Sequence, residues 1–306
     1  FAALCLGTFI WGVCEVVGDT TSQALIPQML GPDQLEQANS RLNVSETVLQ
    51  NFIGVPLGGW LYVAVGALPF ALGGVGIAIS AVLVFAIPRS ATALPPRDPA
   101  HEHHSFWQDI RFGISYLYNH AKLRRLVLFT STLSFLYSAA HSTFVLFALN
   151  EVHIPREQFG AAMMLSGIGG LIGASMTPRW SSRWGRGRVM TIAMTAQTGL
   201  IALEGLSPNI YWFVPIAAIG MVTMSAWNIL LMSCYQVLIP NHLYGRIHGA
   251  RRTLVWGVGP IGSLVGGLIA VHGLRLPFVI CGLLAALVTL FNVTFVRELA
   301  AATVAE

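Results

Sequence analysis

The sequence predicts an all-α polytopic membrane protein, and its composition, its long apolar segments and an internal repeat support this fold class. The chain has 306 residues, of which 55% are hydrophobic and 10% are charged, with a mean hydropathy of +0.67. Soluble domains carry about 25% charged residues, so this chain lacks the polar side chains needed to cover a water-facing surface. It has no glycine period, no charge excess and only four cysteines, which excludes collagen-like, disordered and disulfide-rich classes.

Nine apolar segments are long enough to cross a membrane, for which about 20 residues are needed. They span residues 1–24, 44–65, 68–88, 125–149, 159–178, 188–206, 209–238, 253–273 and 276–296. We expect Pro215 or a loop to shorten the seventh segment. Short turns such as Ser207-Pro208-Asn209 separate most segments, and the one long connection, 89–124, is the expected boundary between two halves.

The placement of lysine and arginine predicts the orientation of these segments. With the loop 25–43 in the cytoplasm, all of the 17 Lys and Arg except Arg156 and Arg275 fall on the cytoplasmic side. We therefore expect a multi-pass protein of the cell membrane (inner or plasma) with a cytoplasmic C-terminus. These loops explain the pI near 9.1, so nucleic acid is not an expected partner. The lipid bilayer is the expected surrounding of the chain, which is expected to be monomeric.

An internal repeat relates the first three segments to the last three. A shift of 208 residues places Pro32 on Pro240 and Gly54 on Gly262, and other glycine matches follow in the same register. Because the fourth to sixth segments then lack partners, we expect about 86 residues with three helices before Phe1, which would give two parallel halves of six helices. The expected domains are the last three helices of an N-terminal half, a cytoplasmic linker with an amphipathic helix and a complete C-terminal half, over residues 1–90, 91–122 and 123–306.

The sequence contains two motifs. The first motif reads Glu15-x3-Asp19-x7-Pro27, then Leu35-x2-Ala38-Asn39, then Gly54-x3-Gly58-Gly59. The second reads Arg183-Trp-Gly185-Arg186-Gly-Arg188. Both resemble motifs of the major facilitator superfamily, in particular its efflux branch of enterobactin exporters and macrolide-efflux proteins, and the second resembles the basic loop between helices 8 and 9. Ser182 stands where that loop has an acidic residue, and Pro56 is displaced by one position from the proline of the fifth-helix motif.

The resemblance implies a major facilitator fold in which nine transmembrane helices correspond to helices 4–12 of twelve, with the N-terminal three missing. It implies that the first, fourth and seventh segments line the substrate path. Candidate path residues on these segments are Trp11, Gln23, Ser134, Tyr137, Ser138, Trp227 and Asn228. Candidates for a role in conformational change are Gly54, Gly58, Gly59, Arg183, Gly185, Arg186, Gly262 and Gly266. Close helix packing alone also explains the glycine pairs, including Gly169 and Gly173.

Ionisable side chains inside the segments are candidates for proton coupling, because each costs about 2.5–3.5 kcal/mol there. Glu15 and Asp19 share a helix face at i, i+4 spacing. Two carboxylates so close in a low dielectric do not both ionise easily, so one should bind a proton near neutral pH. A structural pair or a helix cap is the alternative. His141 is a third candidate, and a packing role fits it equally. We expect Glu46 to lie at a helix N-terminus and Glu204 to be solvated near the outer membrane edge.

The remaining patterns predict no metal, cofactor or enzyme site. The four cysteines lie in apolar segments and form no C-x-x-C pair, which favours packing roles. The histidines at 101–104 fall in a proline-rich linker and are expected to be solvated. The spacing of Trp107, Ile110, Ile114 and Leu117 predicts an amphipathic helix on the cytoplasmic membrane surface.

The resemblance implies a secondary active transporter that exports small amphipathic molecules, drug-like or siderophore-like, by proton antiport with alternating access. Uptake or facilitated diffusion within the same superfamily is an alternative, as is an inactive truncated fragment. A membrane enzyme or sensor would need a cluster of catalytic or metal-binding residues, and the sequence shows no such spacing.

Overall fold

A computed structural model describes residues 34–54, 67–85, 106–240 and 243–302, together with ten single residues: Cys14, Glu15, Val17, Gly18, Ile26, Leu30, Gly31, Leu57, Leu61 and Val65. The elements formed by these residues are helical, and no strand occurs among them. The all-α prediction is therefore confirmed. The predicted first segment and most of the second lie outside the described residues.

The helices are named here in chain order. They are α1 (Leu35–Thr47), a π-helical segment (Val48–Gly54), α2 (Leu68–Phe85), α3 (Phe106–Asn119), α4 (Ala121–Ala140), α5 (Phe144–Asn150), α6 (Arg156–Trp184), α7 (Arg186–Gly205), α8 (Ile210–Leu238), α9 (Tyr244–Gly257), α10 (Gly259–Ala270) and α11 (Leu276–Ala302). The helices α4 to α11 are called the C-terminal bundle below.

Five helical spans of the described residues are long and apolar enough to cross a membrane: Ala121–Asn150, Gln158–Trp184, Ile210–Leu238, Tyr244–Ala270 and Leu276–Ala300. They correspond to five of the last six predicted segments, and α7 corresponds to the remaining one. The first span breaks at His141, between α4 and α5, and the fourth breaks at Val258, just before Pro260 at the start of α10. A proline is tolerated there because the first amides of a helix have no intrahelical partner.

The boundaries predicted for the helices α8 and α1 are wrong. Helix α8 runs unbroken for 29 residues through Pro215, so neither the proline nor a loop shortens it. The side chain of Asn209 caps its start by accepting hydrogen bonds from the amides of Tyr211 and Trp212 at 3.1 and 3.3 Å. The second predicted segment was expected to begin at residue 44, whereas α1 begins at Leu35.

Glycine pairs fix the closest helix contacts of the C-terminal bundle. A Cβ atom on Gly169 or Gly173 of α6 would collide with the α8 backbone, at Ala218 and Val222 respectively. The same is true of Gly262 and Gly266 of α10, which lie against the carbonyls of Phe135 and Ala139 of α4 (residues of both pairs are four apart). Such small-x3-small spacings let helices approach closely. The predicted packing role of these glycines is seen directly, and both seams lie inside the bundle.

The other predicted glycine positions differ. A Cβ on Gly54 would meet the carbonyl oxygen of Leu49 at 2.8 Å, within the same π-helical segment. Its small size is therefore required locally and not at a contact with another helix. Gly58 and Gly59 lie outside the described residues.

The predicted amphipathic helix forms as α3, but it packs on protein as well as facing outward. Gly113 lies against α9, where a Cβ would come within 2.8 Å of the Ala250 side chain. Leu117, which was expected to face the membrane surface, is buried in an apolar cluster of the bundle. Ile114 and Tyr118 remain exposed. The helix is thus attached to α9 along one face.

Two buried apolar clusters fill the C-terminal bundle and position the polar groups between them. One is built around Leu126, Leu230 and Tyr235, and the other around Phe147 and Phe278. These clusters hold α4, α7, α8 and α11 together, so a polar side chain that points inward from these helices is removed from water.

Candidate functional site

A cavity of about 600 Å³ lies between α1 and the C-terminal bundle. Drug-sized ligands occupy pockets of about 300–1,000 Å³. Apolar side chains such as Leu133, Met194 and Ile201 form part of the wall. The polar, charged and aromatic lining residues are Glu15, Asn39, Asn43, Glu46, Thr130, Ser134, Tyr137, Ser138, Gln197, Thr198, Trp227, Asn228, His248, Arg251, Arg252 and Trp256.

Five of the seven predicted path residues meet at this cavity. Ser134, Tyr137 and Ser138 reach it from α4, and Trp227 and Asn228 reach it from α8. The i, i+3, i+4 spacing on α4 places its three residues on one helix face. A mixed wall of hydroxyl, amide and aromatic groups can bind a molecule that has both polar and apolar parts.

Of the four predicted path and coupling residues near the start of the chain, the structure describes Glu15. Its side chain is exposed and lines the cavity. It forms no ion pair or hydrogen bond with any described residue. Trp11, Asp19 and Gln23 lie outside the described residues, so the Glu15–Asp19 pair stays a prediction.

Glu46 does not lie at a helix N-terminus, as was expected. Because α1 starts at Leu35, Glu46 falls in its last turn, directly before the π-helical segment. Its side chain is exposed and lines the cavity. The helix dipole at an N-terminus therefore gives no reason for a carboxylate here.

The partly buried His141 and the buried Glu204 form a pair immediately behind the cavity wall. The imidazole Nε2 lies 3.3 Å from Glu204 Oε2, although the direction of the ring N–H does not meet hydrogen-bond geometry. The other ring nitrogen, Nδ1, lies 3.1 Å from the carbonyl oxygen of Tyr137. The Tyr137 ring lines the cavity and stacks on the imidazole with 4.2 Å between centroids. The pair is thus one aromatic ring away from the cavity.

The expectation that Glu204 is solvated is wrong, since only 6% of the residue is exposed. Helix α8 approaches closely at Gly220, where a Cβ would lie 3.4 Å from Glu204 Oε1. Phe278 of α11 packs edge-on against the His141 ring at 5.2 Å. Proximity to a helix end in sequence therefore did not imply contact with water, because neighbouring helices cover the carboxylate.

A second polar contact extends this region toward the cavity. The Thr223 hydroxyl of α8 donates a hydrogen bond to Gln197 Oε1 of α7 at 2.6 Å. Gln197 lines the cavity, and its Oε1 would lie 3.8 Å from a Cβ on Gly220, close to Glu204. Gln197, Thr223 and the His141–Glu204 pair thus form one polar region at the junction of α4, α7 and α8.

Arg251 is a cavity residue that the sequence analysis placed in a cytoplasmic loop. It lies in α9, within the apolar span Tyr244–Ala270, and is only 5% exposed. The guanidinium lies over the Tyr235 ring, 4.4 Å from its centroid, and its Nη2 lies 3.4 Å from His248 Nδ1. The segment was expected to begin at residue 253, whereas the apolar span begins at Tyr244. Arg251 and His248 were therefore not considered as residues of a membrane segment.

A signal in the sequence could have located Arg251. Tyr244, Ile247, Arg251 and Val255 follow helical spacing, and all four are buried. An arginine in register with apolar residues on one helix face is expected to point inward. The positive-inside rule assigns an arginine to one side of the membrane but does not give its depth.

Helix α1 contacts the bundle at one end of the cavity through polar side chains of the first motif. The Asn39 amide donates hydrogen bonds to Gln236 Oε1 at 2.7 Å and to the Ser233 hydroxyl at 3.1 Å. Ser40 donates to the carbonyl oxygen of Ala174 at 2.5 Å. Asn39 and Ser40 are buried, so these contacts exclude water from the junction of α1 with α6 and α8.

The basic second motif lies beside the same junction. Gly185 has φ of +85°, a conformation that favours glycine, and it joins α6 directly to α7. Arg186 forms an ion pair with Glu36 of α1, while Arg183 is exposed. A carboxylate from α1 therefore partners the motif, in which Ser182 stands at the acidic position and instead donates to the Arg179 carbonyl at 2.9 Å.

Among the described residues, no group of three or more His, Cys, Asp or Glu side chains is arranged to hold a metal ion.

Comparisons with known proteins give both a family and a fold. A family model described as the Major Facilitator Superfamily matches residues 1–261. The multidrug efflux pump Tap of Mycolicibacterium fortuitum is 25% identical over 299 residues, covering 92% of this chain and 69% of that relative.

Among solved structures, a bacterial homologue of the iron transporter ferroportin in an outward-facing state is similar, with a TM-score of 0.66 and 18% identity, covering 90% of this chain and 68% of that one. The same homologue with soaked iron gives a TM-score of 0.61. The fold expected from the two motifs is confirmed.

Proposed function

The chain belongs to the Major Facilitator Superfamily, and from this premise we propose that it exports small amphipathic molecules in exchange for protons. The observation that carries this proposal is the cavity between α1 and the bundle, with buried ionisable groups at its wall. The match to an efflux pump supports export.

The cavity wall suits an amphipathic substrate. Trp227, Trp256 and Tyr137 present aromatic surface, and Ser134 and Asn228 present hydrogen-bonding groups. Trp227 is itself held in place, because its ring packs edge-on against Phe129 with 6.3 Å between centroids. Pockets of this composition bind ligands mainly through apolar surface and orient them with a few polar contacts.

The contacts of α1 indicate the side of the membrane toward which the cavity is proposed to be closed. Asn39 with Gln236, and Glu36 with Arg186, close the end of the cavity at which the basic motif lies. Arginine-rich loops face the cytoplasm, so this arrangement corresponds to a cavity closed toward the cytoplasm. Alternating access requires these contacts to break when substrate enters from the cytoplasmic side. With this orientation the C-terminus is cytoplasmic.

Two sites are proposed to carry protons. Glu15 lines the cavity and is exposed there, so it can exchange a proton with water, and Asp19, four residues further along the chain, is proposed to share this role. His141 and Glu204 form the second site, because an adjacent imidazole and carboxylate exchange a proton with little change in position. Transport of the substrate and of protons is coupled if the two favour different conformations of the same cavity wall.

Proton-driven export is tested with the chain reconstituted in liposomes that contain a fluorescent amphipathic probe. The probes are ethidium (cationic), Nile red (neutral) and 8-anilino-1-naphthalenesulfonate (anionic). We expect at least one probe to move faster when protons are concentrated on the side to which it is released, and a protonophore to abolish this acceleration. A rate of probe movement that does not depend on the proton gradient would indicate facilitated diffusion and contradict antiport.

The proposed carriers are tested by Glu15→Gln, Asp19→Asn and Glu204→Gln. Each is expected to reduce the gradient-dependent part of transport. The matched control is Glu151→Gln. Glu151 forms an ion pair with Arg275, with 2.8 Å between Oε2 and Nε, and it does not line the cavity. Unchanged coupling in all three carrier variants would overturn the assignment of these residues.

A further inference from the structure

The Arg251 guanidinium is a buried positive charge that no carboxylate of the described residues neutralises. It lies over the Tyr235 ring at 4.4 Å from its centroid, and its Nη2 lies 3.4 Å from His248 Nδ1. Its Nε donates no hydrogen bond. Within the described ranges, no carboxylate forms an ion pair with it.

Neither contact supplies negative charge. Arginine only donates hydrogen bonds, so His248 Nδ1 accepts from Nη2 and the imidazole is neutral at that nitrogen. The Tyr235 ring offers a cation–π contact, which is a weak attraction. A charged arginine within an apolar membrane span is costly, and this contact offsets part of the cost. The balance leaves a charge that a partner from outside the chain can stabilise.

The position of Arg251 makes such a partner available, because the residue lines the cavity. On the same wall, Trp256 and Trp227 offer aromatic surface and Met232 offers apolar surface. A molecule with an apolar body and one charged group can therefore place the body on this surface and the charge at the guanidinium.

We propose that Arg251 binds an anionic oxygen group of the transported molecule, so that the substrates are amphipathic acids with a carboxylate or sulfonate. This inference rests on the proposed function, since it names the substrate class of the same cavity. The planar guanidinium matches two oxygens of such a group, and hydrogen bonds between charged partners are about twice as strong as neutral ones. The Nη2 atom contacts His248 and Nε is buried, so the remaining guanidinium N–H groups of this lining residue are the donors for the contact.

Other charges of the cavity fit this arrangement. Glu15 and Glu46 lie on the side of the cavity formed by residues before 55, and both are exposed. Arg252 adds a second positive charge to the wall that contains Arg251, and it lies over the Trp256 ring at 6.0 Å. The C-terminal bundle thus presents the positive wall of the cavity, while the acidic groups face it from the opposite side.

The proposal is tested by binding, with three probes that share one aromatic body and differ in charge. They are 1-pyrenebutyrate, 1-pyrenebutanol and 1-pyrenebutyl-trimethylammonium. Energy transfer from tryptophan to pyrene reports binding to the chain in lipid nanodiscs, because Trp227 and Trp256 line the cavity. A charged hydrogen bond contributes about 1.5–3 kcal/mol, so we expect the carboxylate to bind about tenfold or more tightly than the alcohol.

Variants at Arg251 test whether this residue causes the preference for the carboxylate over the alcohol. Arg251→Met should reduce the ratio of carboxylate to alcohol affinity to about one, and Arg251→Lys should retain part of it. Arg125→Met is the matched control, because Arg125 also stacks on an aromatic ring, Phe295, at 4.5 Å, and lies outside the cavity lining. If Arg251→Met does not fold, the probe series on the wild-type chain and on Arg251→Lys still decides the question.

The outcomes separate this inference from the proposed function. Equal affinity of the wild-type chain for carboxylate and alcohol, or an unchanged preference in Arg251→Met, would overturn the role of Arg251 even if proton-driven export is observed. A preference that depends on Arg251 in a chain without proton coupling would support the binding site and contradict antiport. Wild-type indifference to charge is also the result expected if a carboxylate of the chain itself occupies Arg251.

Discussion

The His141–Glu204 pair and Arg251 both place a buried ionisable side chain, Glu204 or Arg251, beside the same cavity, but they differ in how their charge is compensated. Glu204 has an ionisable partner 3.3 Å away, and the two can share a proton. Arg251 has an aromatic ring and a neutral imidazole. The pair can therefore be neutral without any outside molecule, whereas Arg251 always remains charged.

This difference indicates that the two sites suit different roles beside the cavity. A site that neutralises itself can change protonation as the protein changes shape, which suits coupling. A site with a fixed and uncompensated charge is held at a cost to stability, and such costs are typical of functional positions. Substitutions at the two sites should consequently change stability in opposite directions.

The largest effect is expected for His141→Leu. This change leaves the Glu204 carboxylate buried without its ionisable partner, and breaking a buried pair in this way costs about 3–5 kcal/mol. The double variant His141→Leu with Glu204→Met should recover most of the loss, because both charges are then gone. Unfolding titrations in mixed micelles measure these free energies, and a double variant as unstable as the single one would show that the two side chains do not act as a pair.

A smaller effect of opposite sign is expected for Arg251→Met. Removal of the uncompensated charge should raise the free energy of unfolding by about 1–2 kcal/mol, the insertion cost of arginine less its cation–π contact. The same titration, in the absence of any probe, measures the change. A loss of several kcal/mol would mean that Arg251 is compensated within the chain, which would remove the contrast between the two sites.

The smallest effect is expected for Gly220→Ala. The added methyl group would lie 3.4 Å from Glu204 Oε1 and 3.8 Å from Gln197 Oε1, which the side chains can accommodate by a small shift. We expect stability to change by less than about 1 kcal/mol, with a measurable change in the pH dependence of transport. A change in stability as large as that of His141→Leu would indicate that the pair has no freedom to move.

The outlines of the fold and part of the cavity could be predicted from the sequence. Apolar segment length located the spans of α4, α6, α8, α10 and α11, because helices in a membrane must satisfy their backbone internally. Ser134, Tyr137 and Asn228 were assigned to the path because the family resemblance implies that the fourth and seventh segments line it, and the polar side chains on these segments agree with that role. Their meeting at one cavity follows from the packing of α4 beside α8.

Burial of individual charges could not be predicted in the same way. Glu204 is near a helix end in sequence, yet Gly220 of α8 lies against its carboxylate and Phe278 of α11 packs on its partner His141, and both residues belong to other helices. Arg251 was placed in a loop because charge counting ignores depth. Depth depends on tertiary packing, and a single sequence carries this only in the helical register of residues such as Tyr244 and Val255.

The glycine seam between α4 and α10 has a mechanical consequence. Gly262 and Gly266 lie directly on the carbonyls of Phe135 and Ala139, so displacement by one helical turn, about 5.4 Å, would drive Val258 or Ala270 into the same places. The close contact thus prevents α4 and α10 from sliding along each other. We expect α4 and α10 to tilt together as one rigid unit while α1 moves away from the cavity.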